Sequence, residues 1–130
     1  MPIDAHPSRR HVLVIDDEPY IGRIIQLRLE HDGYAVAIVP DGPTALERLR
    51  SEIPVDVVLL DIMLPHTSGL DVLAALRGIP HRRETPVIVL TAKGQEADRE
   101  RAAALGATDF LTKPFSPKKL RARIDEILAH

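Results

Sequence analysis

The side chains able to do chemistry in this 130-residue chain stand at the ends of short apolar runs. Asp16, Asp17 and Glu18 follow the first such run, Asp61 the third, Thr91 the fourth, and Lys113-Pro114 the fifth. Each alone has a plain reading. An acidic residue or a threonine after a strand commonly caps the next helix, and a lysine commonly sits in solvent. The conjunction reads differently. If the fold brings Asp16, Asp17 and Asp61 together, two carboxylates ~4 Å apart repel by about 4 kcal/mol at an effective dielectric of 20. Such a group calls for a cation, and an all-oxygen ligand set suits Mg²⁺ or a similar hard ion. That ion completes its shell with waters and phosphate oxygens, so the site asks for a phosphoryl group. Lys113 adds an ammonium to the same rim and Thr91 a hydroxyl.

Positioning these residues requires a particular framework. The apolar runs His11–Ile15, Tyr34–Val39, Val55–Leu60, Pro86–Leu90 and Thr108–Leu111 are mostly β-branched and continuous, the pattern of strands covered on both faces. Tyr34–Val39 is the least apolar and fits a place nearer a sheet edge. Between the runs, Pro19–His31, Pro43–Arg50, Gly69–Arg77, Gln95–Leu105 and Pro117–Ala129 read as helices. Asp41 and Ser116 are the expected N-caps of the second and fifth helices, each with a proline in the first turn. The apolar face of Gln95–Leu105 is mostly alanine, so its docking should be the weakest. Gly78–Thr85 reads as a polar loop and residues 1–10 as a flexible arm. Strands starting near residues 12, 35, 56, 87 and 108 recur roughly every 20 to 30 residues, the spacing of βα units around a parallel sheet. In such a sheet ligands bind at the carboxyl ends of the strands, where all the residues named above fall.

Composition narrows the field. There is no cysteine, which excludes disulfides, thiolate zinc sites and cysteine nucleophiles. Two Phe, two Tyr and no Trp cannot build a base-stacking platform. The net charge is −2, so the basic stretch Lys118, Lys119, Arg121 and Arg123 reads as a solvated helix face rather than a nucleic-acid patch. No apolar run reaches the length of a membrane span, and the first ten residues lack the apolar segment of a secretory leader. The expectation is a soluble cytoplasmic domain without direct nucleic-acid or membrane contact. None of the six histidines forms an i, i+4 pair, and His66, in the loop after Asp61, is expected to face solvent.

The strings Val14-Ile15-Asp16-Asp17-Glu18, Asp61-Ile62-Met63-Leu64-Pro65-His66-Thr67-Ser68-Gly69, Val89-Leu90-Thr91-Ala92 and Gly106–Phe115 together resemble the receiver domain of two-component response regulators. The resemblance runs over about residues 11 to 129 and is to the single-domain, chemotaxis-regulator-like form of that family. It implies an α/β, flavodoxin-like, doubly wound sheet of five parallel strands in order 2-1-3-4-5, with five helices in three α/β/α layers. The receiver would occupy residues 11–130. It implies that Asp61 accepts a phosphoryl group from a sensor histidine kinase or a phosphotransfer protein. By the same resemblance Asp17, Asp61 and the backbone carbonyl of Met63 ligate Mg²⁺, Asp16 holds it through water, and Lys113 and Thr91 meet the phosphoryl oxygens. The Lys113-Pro114 bond would be cis, Thr91 and Phe110 would switch, and the surface of helix 4, strand 5 and helix 5 would change for a downstream partner, with a homodimer through helices 4 and 5 as one outcome. Met63 and Lys93 flank the site where the family tunes acyl-phosphate lifetime, and small Ala92 leaves Asp61 accessible. Other readings are a docking module that is never phosphorylated, a Mg²⁺-dependent aspartyl-phosphate phosphohydrolase, and a flavin or nucleotide binder. A capping insertion would not fit in this length, and Asp16-Asp17-Glu18-Pro19 would repel a phosphate without a metal. Five βα units fill the chain, so no effector fits within it; its end suits a stand-alone regulator or a domain of a longer one.

Overall fold

The apolar runs pair into a sheet in the computed structural model of the chain, which describes residues 9–129; of the expected N-terminal arm, residues 1–8 lie outside the described residues. Strands β1 (His11–Ile15), β2 (Ala35–Val39), β3 (Val57–Asp61), β4 (Val87–Thr91) and β5 (Asp109–Thr112) alternate with helices α1 (Pro19–His31), α2 (Gly42–Arg50), α3 (Gly69–Arg77), α4 (Glu96–Ala104) and α5 (Pro117–Leu128). All strand pairs are parallel and the order is β2-β1-β3-β4-β5, a flavodoxin-like three-layer α/β/α fold. β1, β3 and β4 are buried along their whole length, while β2 lies at an edge and is largely half-buried, as its weaker apolar run suggested. Among the described residues, no helix is long and apolar enough to cross a membrane.

Alternate side chains along each strand build two cores. Leu13, Ile15, Val58, Leu60, Val87 and Val89 face α2 and α3, meeting Ala45, Leu49, Val72, Leu73 and Leu76. Val12, Val14, Val57, Leu59, Ile88 and Leu90 face α1 and α5, meeting Ile25, Leu29, Leu120 and Ile124. α4 offers the sheet only Ala102 as a buried residue, which bears out the alanine-rich reading of its face. Asp41 caps α2 by accepting from the Thr44 N–H at 2.8 Å, and Ser116 caps α5 by accepting from the Lys119 N–H at 3.3 Å.

Some elements depart from expectation for local reasons. β3 and β4 extend through Asp61 and Thr91, because the ladder continues to the pairs Asp61 with Leu90 and Thr91 with Thr112. Gly78–Thr85 is more ordered than a polar loop: it contains a short 3-10 turn over Pro80–Arg82, and Arg82 is buried. Its guanidinium donates to the carbonyls of Leu49 at 2.8 Å, Ser51 at 3.0 Å and Ile53 at 2.7 Å, satisfying the backbone between α2 and β3. Arg77 gathers the carbonyls of Arg82, Arg83, Thr85 and Gly106 in the same way. The basic face of α5 is also partly neutralised. Arg121 pairs with Asp32 and Asp125, and Arg123 with Asp109 and Glu126, whereas Lys118 and Lys119 stay exposed.

Two outcomes are expected. Arg82→Ala takes the side-chain donor from the Leu49 and Ile53 carbonyls, while Ser51 keeps His81 Nε2 at 2.8 Å, and should lower unfolding free energy in urea by about 2–3 kcal/mol, with Arg82→Lys restoring only part, because an ammonium lacks the fork. Tyr34, at the entry to β2, donates its hydroxyl to Asp125 of α5. Burial first, then that hydrogen bond and the carboxylate charge, push its phenol up to about 12. The folded value lies above the unfolded value of about 10. The stabilisation is therefore complete below about pH 10 and lost as pH rises through about 12, because the unfolded chain gives up its proton first. Denaturation curves of the native chain and Tyr34→Phe should converge over that interval.

Candidate functional site

The carboxyl ends of β1, β3, β4 and the segment after β5 meet at one rim. Asp16 follows β1 and is 2% exposed; Asp61 closes β3 and is 4% exposed. Close approach sets this geometry. Gly69 begins α3 directly against the end of β3, and a Cβ there would stand 2.4 Å from the Asp61 carbonyl oxygen and 2.7 Å from Ile62 Cα. Any side chain would push α3 away from the strand that carries Asp61. On the other side, the Lys113 N–H donates to the Thr91 carbonyl at 2.6 Å, and the Lys113-Pro114 bond is cis.

The Lys113 side chain then reaches across the rim. Its Nζ lies 2.8 Å from Asp61 Oδ2, 3.2 Å from Asp16 Oδ2 and 3.1 Å from Glu18 Oε1. Asp61 Oδ1 accepts the Met63 N–H at 2.9 Å, and Asp16 Oδ1 accepts the Glu18 N–H at 2.9 Å. Asp16 sits above the usual carboxylate range: burial raises it most, the Glu18 N–H pulls it down, and the nearby Asp61 charge raises it against the pull of Lys113. Burial works against the Lys113 ammonium, but hydrogen bonds to Asp61 and Glu18 and the charges of Asp61 and Asp16 outweigh it, holding its pKa above the ordinary lysine value. The ammonium is thus fixed in its charged form.

The carboxylates that gather differ by one from expectation. Oxygens of Asp16, Glu18 and Asp61 lie within 4.8 Å of one another, whereas Asp17 is exposed and is not in that group. The chain bends at Asp17 directly after β1, and the Glu18 N–H donates to Asp16 Oδ1 across that bend, which leaves Asp17 exposed at its apex. Glu18 carries no signal in the sequence beyond being a third acidic residue in a row.

Thr91 is buried on the same rim, with its hydroxyl 3.4 Å from that of Thr112. It does not cap α4, whose N-cap residue Gln95 makes no capping hydrogen bond and takes the Ala92 N–H at 2.6 Å. Met63, Ala92, Lys93 and His66 are exposed around the opening. Phe110, on β5 beside Val89, is half-buried against the α2–α3 core. The Arg99 guanidinium of α4 covers its ring, 5.0 Å from the centroid, a cation–π contact that nothing in the sequence announced.

An open α/β sheet with acidic residues after β1, a buried aspartate closing β3, a hydroxyl at the end of β4 and a lysine after β5 is the framework of a receiver domain. The sequence profile of the response regulator receiver domain matches residues 12–125, and the chain belongs to that family. It is 41% identical over 119 residues to the alkaline phosphatase synthesis transcriptional regulatory protein PhoP of Bacillus subtilis, covering 92% of this chain and 48% of that protein. Identity to the phosphate regulon transcriptional regulatory protein PhoB of Klebsiella pneumoniae is also 41% over 119 residues, covering 92% and 52%. The chain thus spans about half the length of these relatives. Chemotaxis response regulator CheY4 of Vibrio cholerae superposes with a TM-score of 0.86 at 28% identity, over 92% of this chain and 99% of that one. The receiver domain of sensor histidine kinase PA1611 from Pseudomonas aeruginosa, solved with a magnesium ion coordinated in its active site cleft, gives 0.85 at 28% identity, over 95% and 100%.

The rim predicts its own pH dependence. Lys113→Met leaves the carboxylates facing one another without a counter-charge, and should cost about 3 kcal/mol at neutral pH. Asp16 is already raised, so the folded state favours its protonated form; the penalty is present once pH passes the folded value and fades as pH falls toward the unfolded one. Urea midpoints of the variant and the native chain should therefore approach each other as pH falls from neutral toward the ordinary carboxylate value of about 4. Millimolar Mg²⁺ should close the gap at neutral pH if it binds the freed oxygens.

Proposed function

We propose that this chain is a phosphorylation-driven switch that works in the cytoplasm, accepting a phosphoryl group onto Asp61 from a phosphohistidine of a kinase or phosphotransfer protein. The observation that carries the reading is the Lys113 ammonium held 2.8 Å from buried Asp61, with Thr91 on the same rim. In the transfer an Asp61 oxygen bonds to phosphorus while the P–N bond breaks. The electron pair leaves on the imidazole, which then takes a proton. Charge spreads over three phosphoryl oxygens, so positioned cations matter more than covalent chemistry.

The donor set fits a hard divalent ion. Asp16 and Asp61 offer only carboxylate oxygens, and with Glu18 and Lys113 beside them the rim sums to a formal charge that a divalent cation would cancel. Asp61, Asp17 and the Met63 carbonyl would hold Mg²⁺, with Asp16 behind them through water. Bound there, Mg²⁺ supplies charge neutralisation for an incoming phosphoryl group. The magnesium in the PA1611 receiver cleft supports the choice of ion.

Lys113 pairs with one phosphoryl oxygen and Thr91 donates its hydroxyl to another. As Thr91 moves, Phe110 turns inward and the α4–β5–α5 surface changes for a downstream protein, or for a second copy of the chain. Taking an active state from about 1% to 99% requires roughly 5.5 kcal/mol of differential stabilisation, within reach of two or three charge-assisted hydrogen bonds. Exposed Tyr20, Ile24 and Leu27 give α1 an apolar outer stripe near the rim, suited to a docking phosphodonor.

Incubation with acetyl phosphate and Mg²⁺ should add one phosphoryl group by intact mass, and Asp61→Asn should add none. Absence of an adduct with any phosphodonor would favour a docking module that is never phosphorylated.

A further inference from the structure

Glu18 occupies the N-cap position of α1, yet its side chain makes no capping hydrogen bond. Glutamate is a poor cap, and here it turns away from the free N–H groups of the helix. It reaches Lys113 instead, Oε1 to Nζ at 3.1 Å, although the residue has abundant access to solvent. Its side chain is 59% exposed, against 5% for Asp61 and none for Asp16.

That contrast matters because the ammonium stands among the oxygens a divalent cation would use. An ammonium and a divalent ion drawn to the same carboxylates repel each other. Asp16 and Asp61 are buried, and each is tied to a backbone N–H two residues on. Neither can follow Lys113 outward. Glu18 has a longer side chain and solvent on one side.

We propose that Glu18 is a positioning residue for Lys113: when a divalent cation engages Asp61 directly and Asp16 through water, the ammonium stays beside the site on the Glu18 carboxylate. This rests on the reading of the rim as a divalent-cation site. Lys113 then shifts within the rim instead of swinging into solvent, and remains close enough to meet a phosphoryl oxygen. Glu18 touches neither the cation nor the reacting atoms; it acts through Lys113.

Nitrogen-15 NMR of the lysine ammonium groups tests this, since a bonded ammonium exchanges its protons slowly enough to be seen. Lys93, Lys113, Lys118 and Lys119 are the lysines of the chain, and Lys113→Arg identifies the signal. The native protein should show a Lys113 ammonium signal without cation and keep it, shifted, at saturating Mg²⁺. Glu18→Gln should show it without cation, where Asp16 and Asp61 still hold it, and lose it at saturating Mg²⁺. A signal that persists in Glu18→Gln with Mg²⁺, or one that vanishes from the native protein, overturns the role of Glu18 alone. Backbone amides of Asp61 and Met63 that do not respond to Mg²⁺ overturn the cation reading and this inference with it. A second readout is phosphorylation by acetyl phosphate at saturating Mg²⁺. Glu18→Gln should be about two- to fivefold slower, the range that an exposed ion pair delivers. The same substitution should change nothing in a Lys113→Ala background. Equal rates for Glu18→Gln and the native chain, or an effect that survives without Lys113, count against the proposal.

Discussion

One ammonium held against three carboxylates governs the carboxyl end of this sheet. Asp16, Glu18 and Asp61 could not share so small a rim at neutral pH without Lys113, and Lys113 could not be so little exposed without them. The fold supplies the constraint that keeps the four together. β1 and β3 are adjacent and parallel, so their acidic ends lie side by side. The β4–β5 pairing continues to Thr91 and Thr112, placing the next residue, Lys113, level with them. Two cores, one on each face of the sheet, hold these strands rigidly enough for a separation of about 3 Å to persist.

Much of this was legible in the chain. Continuous β-branched runs mark buried parallel strands, and the rule that ligands gather at their carboxyl ends points straight to Asp16, Asp61, Thr91 and Lys113. Helix starts at Asp41 and Ser116 could be read because capping is local. What escaped was whatever depends on the third dimension. Glu18 looks like one more solvated charge until the turn after β1 aims it at Lys113. Arg82 sits in a polar segment, and polarity alone cannot reveal a guanidinium that is buried because three stranded carbonyls await it. Gly69 reads as an ordinary helix start; its necessity comes from the Asp61 backbone lying where a Cβ would be.

The opposite ends of the sheet are stabilised by the same chemistry with opposite partners. At the carboxyl end a cation satisfies side-chain carboxylates, and the arrangement has a charge left over for chemistry. At the amino end Arg77 and Arg82 satisfy backbone carbonyls, which carry no net charge and leave nothing to titrate. One end therefore gathers opposite side-chain charges, and the other answers the neutral carbonyls of the backbone.

The single alanine that α4 buries also shapes how the molecule comes apart. Local opening costs only what the opened piece contributes, and α4 contributes little apolar area compared with α1, α3 or α5. Its backbone amides belong to a separate, shallower layer of stability than those of β1, β3 and β4. An opening of that helix beside Phe110 would expose little apolar surface, and the sheet that carries Asp61 and Lys113 would not have to loosen with it.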